Sequence, residues 1–344
     1  MQFQPYDGEQ IRELLNSEQL YDALLAAESE LDQRFRGSIA WKRVSGHEYL
    51  YRKRRANWRS VGRRSEETER LYEAFTSGRD QIKKRLASLD ARLRRSARVN
   101  RALNLGRVPF VAARIIRRLT DEKLLGRDLL VVGTPALFAY ERMAGGQLQA
   151  SLIATADLDL LLDARQDLRM ISGRNQVSLI GLLHSVDKSF APIAPNAFRA
   201  ANDQGYMVDL ITPVPPNAAV PSGARLGKGD DLEAAEIDGL DWLQNSPRVT
   251  QTVIDEKGFP LRMVVPDPRC FAVHKLWVSE QPSRDRAKAR RDREQALTVA
   301  ALANAHLPHL KFDSGELDAF PAGVRASASR LKQIKLSSDA ADWR

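Results

Sequence analysis

Apolar residues near the start of the chain recur at the spacing of an amphipathic helix. The set comprises Ile11, Leu14, Leu15, Leu20, Leu24 and Leu25. This period predicts a helix that ends before Gly37. A second, longer helix is predicted from Ser65 to Leu105, because Ser65 and the acids that follow it suit a helix start. Gly106 stands where that helix should end.

Between these two helices the pattern changes to the alternation typical of β-strands. Residues 38–44 and 47–52 are predicted as strands, and Ser45-Gly46 between them suits a tight turn. A third short strand is predicted at residues 58–61. The first region, residues 1–125, is therefore interpreted as a basic helical region with a β-hairpin near residues 38–61.

The middle of the chain, residues 126–213, alternates short apolar runs with helical segments. The predicted strands are residues 129–133, 155–163 and 205–211, and the predicted helices are residues 135–143 and 177–186. Thr134 and Pro135 suit the N-cap and the first position of the first of these helices. This region is expected to form one mixed domain of strands and helices.

The remainder, residues 214–344, is predicted to form a separate C-terminal α/β to helical region. Its first part is rich in Pro, Gly and Ala and predicts a loop. Two strands are predicted at residues 249–254 and 259–265. Helices are predicted from Asp267 or Pro268 onwards and over residues 283–305.

Two carboxylates interrupt the leucine-rich strand at residues 155–163. Asp157 and Asp159 are two residues apart, so they point to the same face of a strand. Because neighbouring like charges repel, a cation is expected to compensate them. Oxygen ligands of this kind suit Mg²⁺. The alternative is an edge strand with a solvated acidic face, and Asp163 is interpreted as a strand-end residue.

Two further pieces of sequence suit the same chemistry. Gly133-Thr134 ends one predicted strand and opens a helix, where glycine lets the backbone approach a phosphate and the hydroxyl and free N–H groups bind its oxygens. Asp209 lies between apolar residues on a later strand. Three acids on one sheet are able to hold two metals for an in-line displacement. A plain turn with a threonine cap, and an acid that merely ends a strand, are the alternatives.

The order Gly133-Thr134, then Asp157-x-Asp159, then Asp209 resembles the nucleotidyltransferase superfamily related to DNA polymerase β. Within it, the run at residues 133–141 resembles stand-alone bacterial nucleotidyltransferase-like proteins, although Thr134 replaces the more usual serine. The resemblance implies an α+β fold with a mixed sheet core. It also implies that Asp157 and Asp159 bind both Mg²⁺ ions (or Mn²⁺), and that Asp209 binds the catalytic metal and helps to activate the nucleophile.

The resemblance also implies a cation that contacts the triphosphate from a helical domain after the third acid. Lys275 is the first candidate for this role and Lys288 the second. For Lys275 the alternative is a solvated lysine on an amphipathic helix. His274 is interpreted as a packed or capping residue and not a catalytic one, and Cys270 as a small core residue.

Charge bears on the partner. The chain of 344 residues has a formal net charge of +9, which favours a polyanion. Basic clusters such as Arg52–Arg55 are interleaved with Trp41, Tyr49, Tyr51 and Trp58, a composition that suits RNA or DNA. The alternatives are a solvated helix face with packed aromatics, a protein contact, or a dimer.

Composition limits the compartment. A single cysteine excludes an internal disulfide and fits a reducing environment. No apolar run is long enough to span a membrane, and the N-terminus does not resemble a signal peptide. The expected location is the cytoplasm, with no membrane partner.

Taken together, these features predict a metal-dependent nucleotidyltransferase that moves a nucleoside monophosphate from a nucleoside triphosphate, such as ATP, to an acceptor hydroxyl. An RNA 3′ end such as that of tRNA is the favoured acceptor, and a protein or small molecule is the alternative. Two rival hypotheses are a catalytically silent nucleic-acid-binding or regulatory protein, and a toxin-type nucleotidyltransferase of a toxin–antitoxin pair.

Overall fold

The structure is a computed structural model that describes residues 3–54, 57–163, 178–215, 223–227, 231–313 and 315–335. It divides into two compact units. One, here called the N-terminal unit, comprises Arg12–Asn104 with Gly258–Pro260. The other, here called the core unit, comprises Met1–Ile11, Leu105–Lys257 and Leu261–Arg344. The domain limits expected at residues 125 and 213 remain predictions.

Helices and strands alternate along most of the described chain. The helices are α1 (Gly8–Phe35), α2 (Glu66–Ala102), α3 (Phe110–Asp121), α4 (Leu137–Ala144), α5 (Ala150–Ile153), α6 (Leu179–Val186), α7 (Leu240–Asn245), α8 (Pro268–Ser279), α9 (Arg286–His306) and α10 (Ala322–Leu331). The strands are β1 (Phe3–Pro5), β2 (Ser38–Val44), β3 (His47–Arg54), β4 (Asn57–Arg63), β5 (Leu129–Val132), β6 (Gly146–Leu148), β7 (Asp157–Leu162), β8 (Ala191–Pro192), β9 (Arg199–Ala201), β10 (Met207–Pro213), β11 (Ala235–Ile237), β12 (Arg248–Ile254) and β13 (Pro260–Pro266). This content confirms the predicted α+β class.

The N-terminal unit combines the two long helices with a three-stranded antiparallel sheet, ordered β2-β3-β4. Phe75, Ile82 and Leu89 on α2 are buried and follow one another at seven-residue intervals, which keeps them on the helix face that packs against α1. The predicted start of α2 is confirmed. The Ser65 side chain accepts a hydrogen bond from the backbone N–H of Thr68, whose hydroxyl accepts one from the backbone N–H of Ser65.

The core unit is built on a mixed sheet whose strands run in the order β5-β7-β10-β9-β8, with β11 added to β10. Strand β7 is antiparallel to β5 and parallel to β10. Strand β9 is antiparallel to β10. Leu158 and Leu160 on β7 and Leu210 on β10 are fully buried, because helices and loops cover the sheet. The arrangement confirms the predicted mixed sheet.

Several elements of the core unit differ from the prediction. Helix α3 and strands β6, β8 and β9 were not predicted. The three strands are only two or three residues long, whereas α3 does carry an apolar period, with Ala112, Ile115, Ile116 and Leu119 buried on one face. The helix predicted from residue 135 begins instead with a 3₁₀ turn over Thr134–Ala136, which passes into α4. Within the described part of the chain, no helix is both long enough and apolar enough to cross a membrane.

Candidate active site

Three carboxylates lie together on two neighbouring parallel strands of the core unit. Asp157 and Asp159 are on β7, and Asp209 is on β10 directly opposite Asp159 in the strand register. Paired parallel strands are about 4.8 Å apart, and opposed residues share a face. The sequence prediction required Asp209 to adjoin the other two acids, and the structure brings these three residues together.

The charges of this group act strongly on Asp159. Burial is the largest cause that raises its pKa, and the Asp157 carboxylate raises it further, to about 7. Asp209 acts in the same direction, whereas Lys275 and Arg199 lower the pKa. The local positive charge is therefore insufficient to hold Asp159 fully ionised at neutral pH. An added cation would be electrostatically favoured here.

Arg199 already neutralises one of the three acids. It lies on β9, opposite Asp209 in the antiparallel register. Its Nε and Nη2 atoms donate to the two oxygens of Asp209 at 2.6 and 2.5 Å. These hydrogen bonds are the main cause that raises the pKa of Arg199. This two-pronged ion pair fixes the Asp209 carboxylate in the plane of the guanidinium.

Arg199 was absent from the predicted site. The turn-forming run at residues 202–205, between two short apolar segments, is a hairpin signal. A hairpin there places Arg199 opposite Asp209, so the sequence did contain the information. Arg199 belongs to no sequence motif, so finding it from the sequence required pairing the two strands of this hairpin.

The three acids are not arranged as a ready metal centre. Across the residues that the structure describes, no group of three or more His, Cys, Asp or Glu side chains is placed to hold a metal ion. Both oxygens of Asp209 accept from Arg199, and Asp157 accepts from the Thr155 hydroxyl. The predicted ligand set of Asp157, Asp159 and Asp209 therefore remains a prediction.

Gly133 shapes the position of Asp159. It has φ +64°, in the left-handed region, and lies directly after Val132, the register partner of Asp159. A Cβ atom on Gly133 would overlap Oδ2 of Asp159. From the sequence, the space beside Gly133 was predicted to admit an approaching phosphate. In the structure a carboxylate fills it, which gives glycine a different reason to be present.

Thr134 does not cap a helix with its side chain, contrary to the prediction. Its hydroxyl is buried and accepts a hydrogen bond at 3.0 Å from Nε2 of Gln295 on α9. Nε2 also donates to the Leu152 carbonyl at 3.1 Å. Gln295 was not predicted, although a buried amide in an alanine-rich helix was a visible signal. The hydroxyl is thus engaged within the protein.

The two candidate lysines differ in their surroundings. Lys275 on α8 is mostly buried and donates to Oδ1 of Asp292 on α9 at 2.6 Å, while Arg284 pairs with Oδ2 of the same carboxylate at 2.6 Å. The positive charge of Lys275 lowers the pKa of Asp159. Lys288 lies in the first turn of α9 with an exposed side chain, and it is not among the groups that shift that pKa.

Two buried rings lie close to these groups. Burial, and secondly the Lys275 charge, lowers the pKa of His274 to about 3, so this ring is neutral. It packs beside Trp242 and Trp277, and Cys270 is fully buried, which confirms both as packing residues. Burial, followed by Asp157 and Asp159, raises the pKa of Tyr206, whose hydroxyl is buried without a partner in the described structure.

Asp163 has a structural role, as the sequence indicated. It follows the end of β7 and is buried. Its oxygens accept from Gln244 at 3.0 Å and from Arg248 at 3.1 Å. A paired carboxylate of this kind provides a control for the three acids.

Replacing Asp159 with Asn should stabilise the metal-free protein at alkaline pH. The pKa of Asp159 in the folded state is raised above its unfolded value, so wild-type stability falls as pH rises from about 4 to about 7 and then levels off. In EDTA, the Tm of Asp159→Asn should exceed that of wild type at about pH 8, with the difference disappearing towards about pH 4.

Asp163→Asn is the matched control, because it breaks an ion pair instead of relieving repulsion, and its Tm should fall. A fall in the Tm of Asp159→Asn at pH 8 would contradict the repulsion.

Replacing Gly133 with Ala should destabilise the protein by more than replacing Gly145 with Ala. Both glycines have positive φ, but Gly145 has open space where a Cβ would be added. The backbone at Gly133 (φ +64°, ψ −155°) is nearly exclusive to glycine, whereas that at Gly145 (φ +73°, ψ +38°) is left-handed α, where a side chain costs about 1 kcal/mol. Gly133→Ala therefore adds greater backbone strain and the clash with Asp159, and urea titration should show the larger loss in free energy of unfolding. A loss no larger than that of Gly145→Ala would contradict both causes.

No curated protein and no solved structure matches this chain. A family model described as Nucleotidyltransferase matches residues 111–320, which is more than half of the chain and includes the three carboxylates, Gly133 and Lys275. The chain therefore belongs to the nucleotidyltransferase family.

Proposed function

We propose that this protein transfers a nucleoside monophosphate from a nucleoside triphosphate to an acceptor hydroxyl, with the help of Mg²⁺, and releases pyrophosphate. The observation that carries the proposal is the placement of Asp157, Asp159 and Asp209 on one face of two adjoining parallel strands. Membership of the family supports nucleotidyl transfer in general. The metal, the acceptor and the residue roles are the proposed part.

Two of the three carboxylates, Asp157 and Asp159, are available to bind a hard cation such as Mg²⁺. Asp157 and Asp159 offer carboxylate oxygens from one face, and burial, followed by the charge of Asp157, raises the pKa of Asp159. Asp209 joins them when Arg199 releases it. A bound divalent cation supplies charge stabilisation at the phosphates and favours ionisation of the acceptor hydroxyl.

In the proposed reaction, the acceptor oxygen forms a bond to the α-phosphorus while the bond from that phosphorus to the bridging oxygen breaks. The hydroxyl proton leaves the acceptor, and Asp209 is the carboxylate assigned to receive it. Asp157 and Asp159 would hold the cation, which would supply positive charge to the triphosphate oxygens. Lys275, held by Asp292, contributes positive charge towards the leaving pyrophosphate.

Arg199 has two roles in this scheme. Before substrate arrives it balances the charge of Asp209. After release, its planar guanidinium is suited to a phosphate, which it binds with the same fork geometry as a carboxylate. The ion pair thus competes with metal binding in the free protein.

The charge of the chain favours a nucleic-acid acceptor. Residues 12–104 contain 22 Lys and Arg against 13 Asp and Glu, a net charge of +9, which equals the charge of the whole chain. A polyanion is therefore expected to contact the N-terminal unit. We place an RNA 3′ end, such as that of tRNA, first among acceptors, ahead of protein or small-molecule hydroxyls.

Loss of the acids should abolish transfer. The protein is incubated with each α-labelled nucleoside triphosphate, ATP first, with Mg²⁺ and total cellular RNA. Incorporation should fall by more than about 100-fold in Asp157→Ala, Asp159→Ala and Asp209→Ala. Asp238→Ala, which removes an exposed carboxylate of the core unit, should retain activity. Incorporation by Asp159→Ala at the wild-type rate would refute the assignment, and label in protein instead of RNA would change the acceptor.

Removing Arg199 should tighten metal binding. With its competing cation gone, Asp209 is free to bind, and the affinity for Mn²⁺ in the absence of nucleotide should rise about tenfold in Arg199→Ala. Electron paramagnetic resonance of free Mn²⁺ measures this without any turnover. The double variant Arg199→Ala with Asp209→Ala should lose the gain. An unchanged affinity in Arg199→Ala would contradict the competition.

A further inference from the structure

The sheet of the N-terminal unit has two faces of different character. Its inner face is covered. Leu50 is fully buried, the Trp41 ring lies 5.8 Å from that of Tyr72 on α2, and the Arg52 guanidinium lies 5.2 Å from the Phe75 ring. The helices therefore take up one side of the sheet.

The opposite face is open and aromatic. The register places Lys42 opposite Tyr49, Ala40 opposite Tyr51, and Lys53 opposite Trp58. Residues that are opposed in this way, or two apart along a strand, share a face. This surface is here called the outer face, and it comprises Ser38, Ala40, Lys42, Val44, His47, Tyr49, Tyr51, Lys53, Trp58, Ser60 and Arg63. Trp58 is exposed on the edge strand β4.

Lysines lie over the aromatic rings of the outer face. The Lys42 ammonium is 3.7 Å from the centroid of Trp58 and 5.3 Å from that of Tyr51, and the Lys53 ammonium is 5.6 Å from that of Trp58. The outer face as defined contains no acidic residue. Over residues 38–63 the chain has eight Lys and Arg and one acid, Glu48, which pairs with Arg64.

We propose that the outer face binds a single strand of nucleic acid, with bases stacked on Trp58 and Tyr51 and phosphates paired with Lys42 and Lys53. This proposal does not rest on nucleotidyl transfer. It selects among the basic clusters of the sequence, because Arg52 lies on the covered side and Lys42 and Lys53 on the open one. Arg55 lies outside the described residues.

A base stacked on Trp58 is expected to bind more strongly than the lysine that lies over this ring in the free protein. An exposed cation–π contact changes an equilibrium constant by about two- to fivefold. A base stacked on an aromatic ring contributes about five- to 150-fold. A lysine displaced from Trp58 also remains close enough to pair with the backbone phosphate of the same nucleotide. A single strand fits this surface better than a duplex, whose bases are already stacked on one another.

The test is fluorescence anisotropy of the full chain, without nucleoside triphosphate or metal, using labelled uridine and thymidine oligonucleotides of about 12 residues and an RNA duplex. Single strands should bind more tightly than the duplex. Trp58→Ala should weaken single-strand binding about tenfold. Val61→Ala, an exposed apolar position on the same strand, should not change it. Equal or tighter duplex binding, or binding unchanged by Trp58→Ala, would overturn the proposal.

The contribution of the two lysines is tested with two double variants that remove the same charge from different places. The double variant Lys42→Ala with Lys53→Ala should make the plot of log affinity against log salt less steep by about 1.4. This change corresponds to the loss of two phosphate contacts with a single strand. Lys83→Ala with Lys84→Ala removes the same charge from the exposed side of α2 and should leave the slope near wild type. An equal loss in both pairs would mean diffuse attraction and would overturn the assignment to the outer face. Asp159→Asn should bind as wild type, which separates this result from the fate of the transfer reaction.

Discussion

Repulsion among three carboxylates is the constraint on which the core of this structure depends. Parallel pairing of β7 with β10 brings Asp209 opposite Asp159, and the period of the strand puts Asp157 on the same face. Asp209 is buried, and Asp157 and Asp159 are half-buried, so water screens these charges incompletely and positive neighbours are needed. Arg199 meets this need for Asp209, and Lys275 partly meets it for Asp159. A site assembled from like charges thus has to recruit cations, which is also what the proposed metal and triphosphate reaction would require.

The cations are held by structure around the sheet. Lys275 shares the Asp292 carboxylate with Arg284, so its ammonium is positioned before any ligand arrives. Arg199 is placed by the register of a short strand. Lys275 is therefore anchored by Asp292, which is not one of the three acids, whereas Arg199 is anchored by Asp209, which is. Binding of a ligand has opposite consequences for the two, since only Arg199 must give up its partner.

Sequence reasoning identified the acids because their signal is local. Asp157 and Asp159 interrupt an apolar strand, and Asp209 interrupts another, so the two-residue period was sufficient to relate them to a sheet face. The start of α2 at Ser65 was equally local. By contrast, Arg199 and Gln295 take their meaning from residues distant in sequence, and no periodic pattern identifies such partners. The role of Gly133 was missed for the same reason, because the carboxylate that fills its space comes from another strand.

Helix α9 reaches the site at two points one turn apart. Asp292 anchors Lys275, and Gln295 is bonded to the Thr134 hydroxyl and to the Leu152 carbonyl. The stretch that ends at β10 therefore does not contain everything that positions the side chains around the three acids. A shortened chain that stops before Arg286 would keep all three acids and still lack the partners that orient Lys275 and the turn after β5. A fragment that keeps the observed positions of Lys275 and Thr134 must therefore extend through this helix, far beyond the last acid.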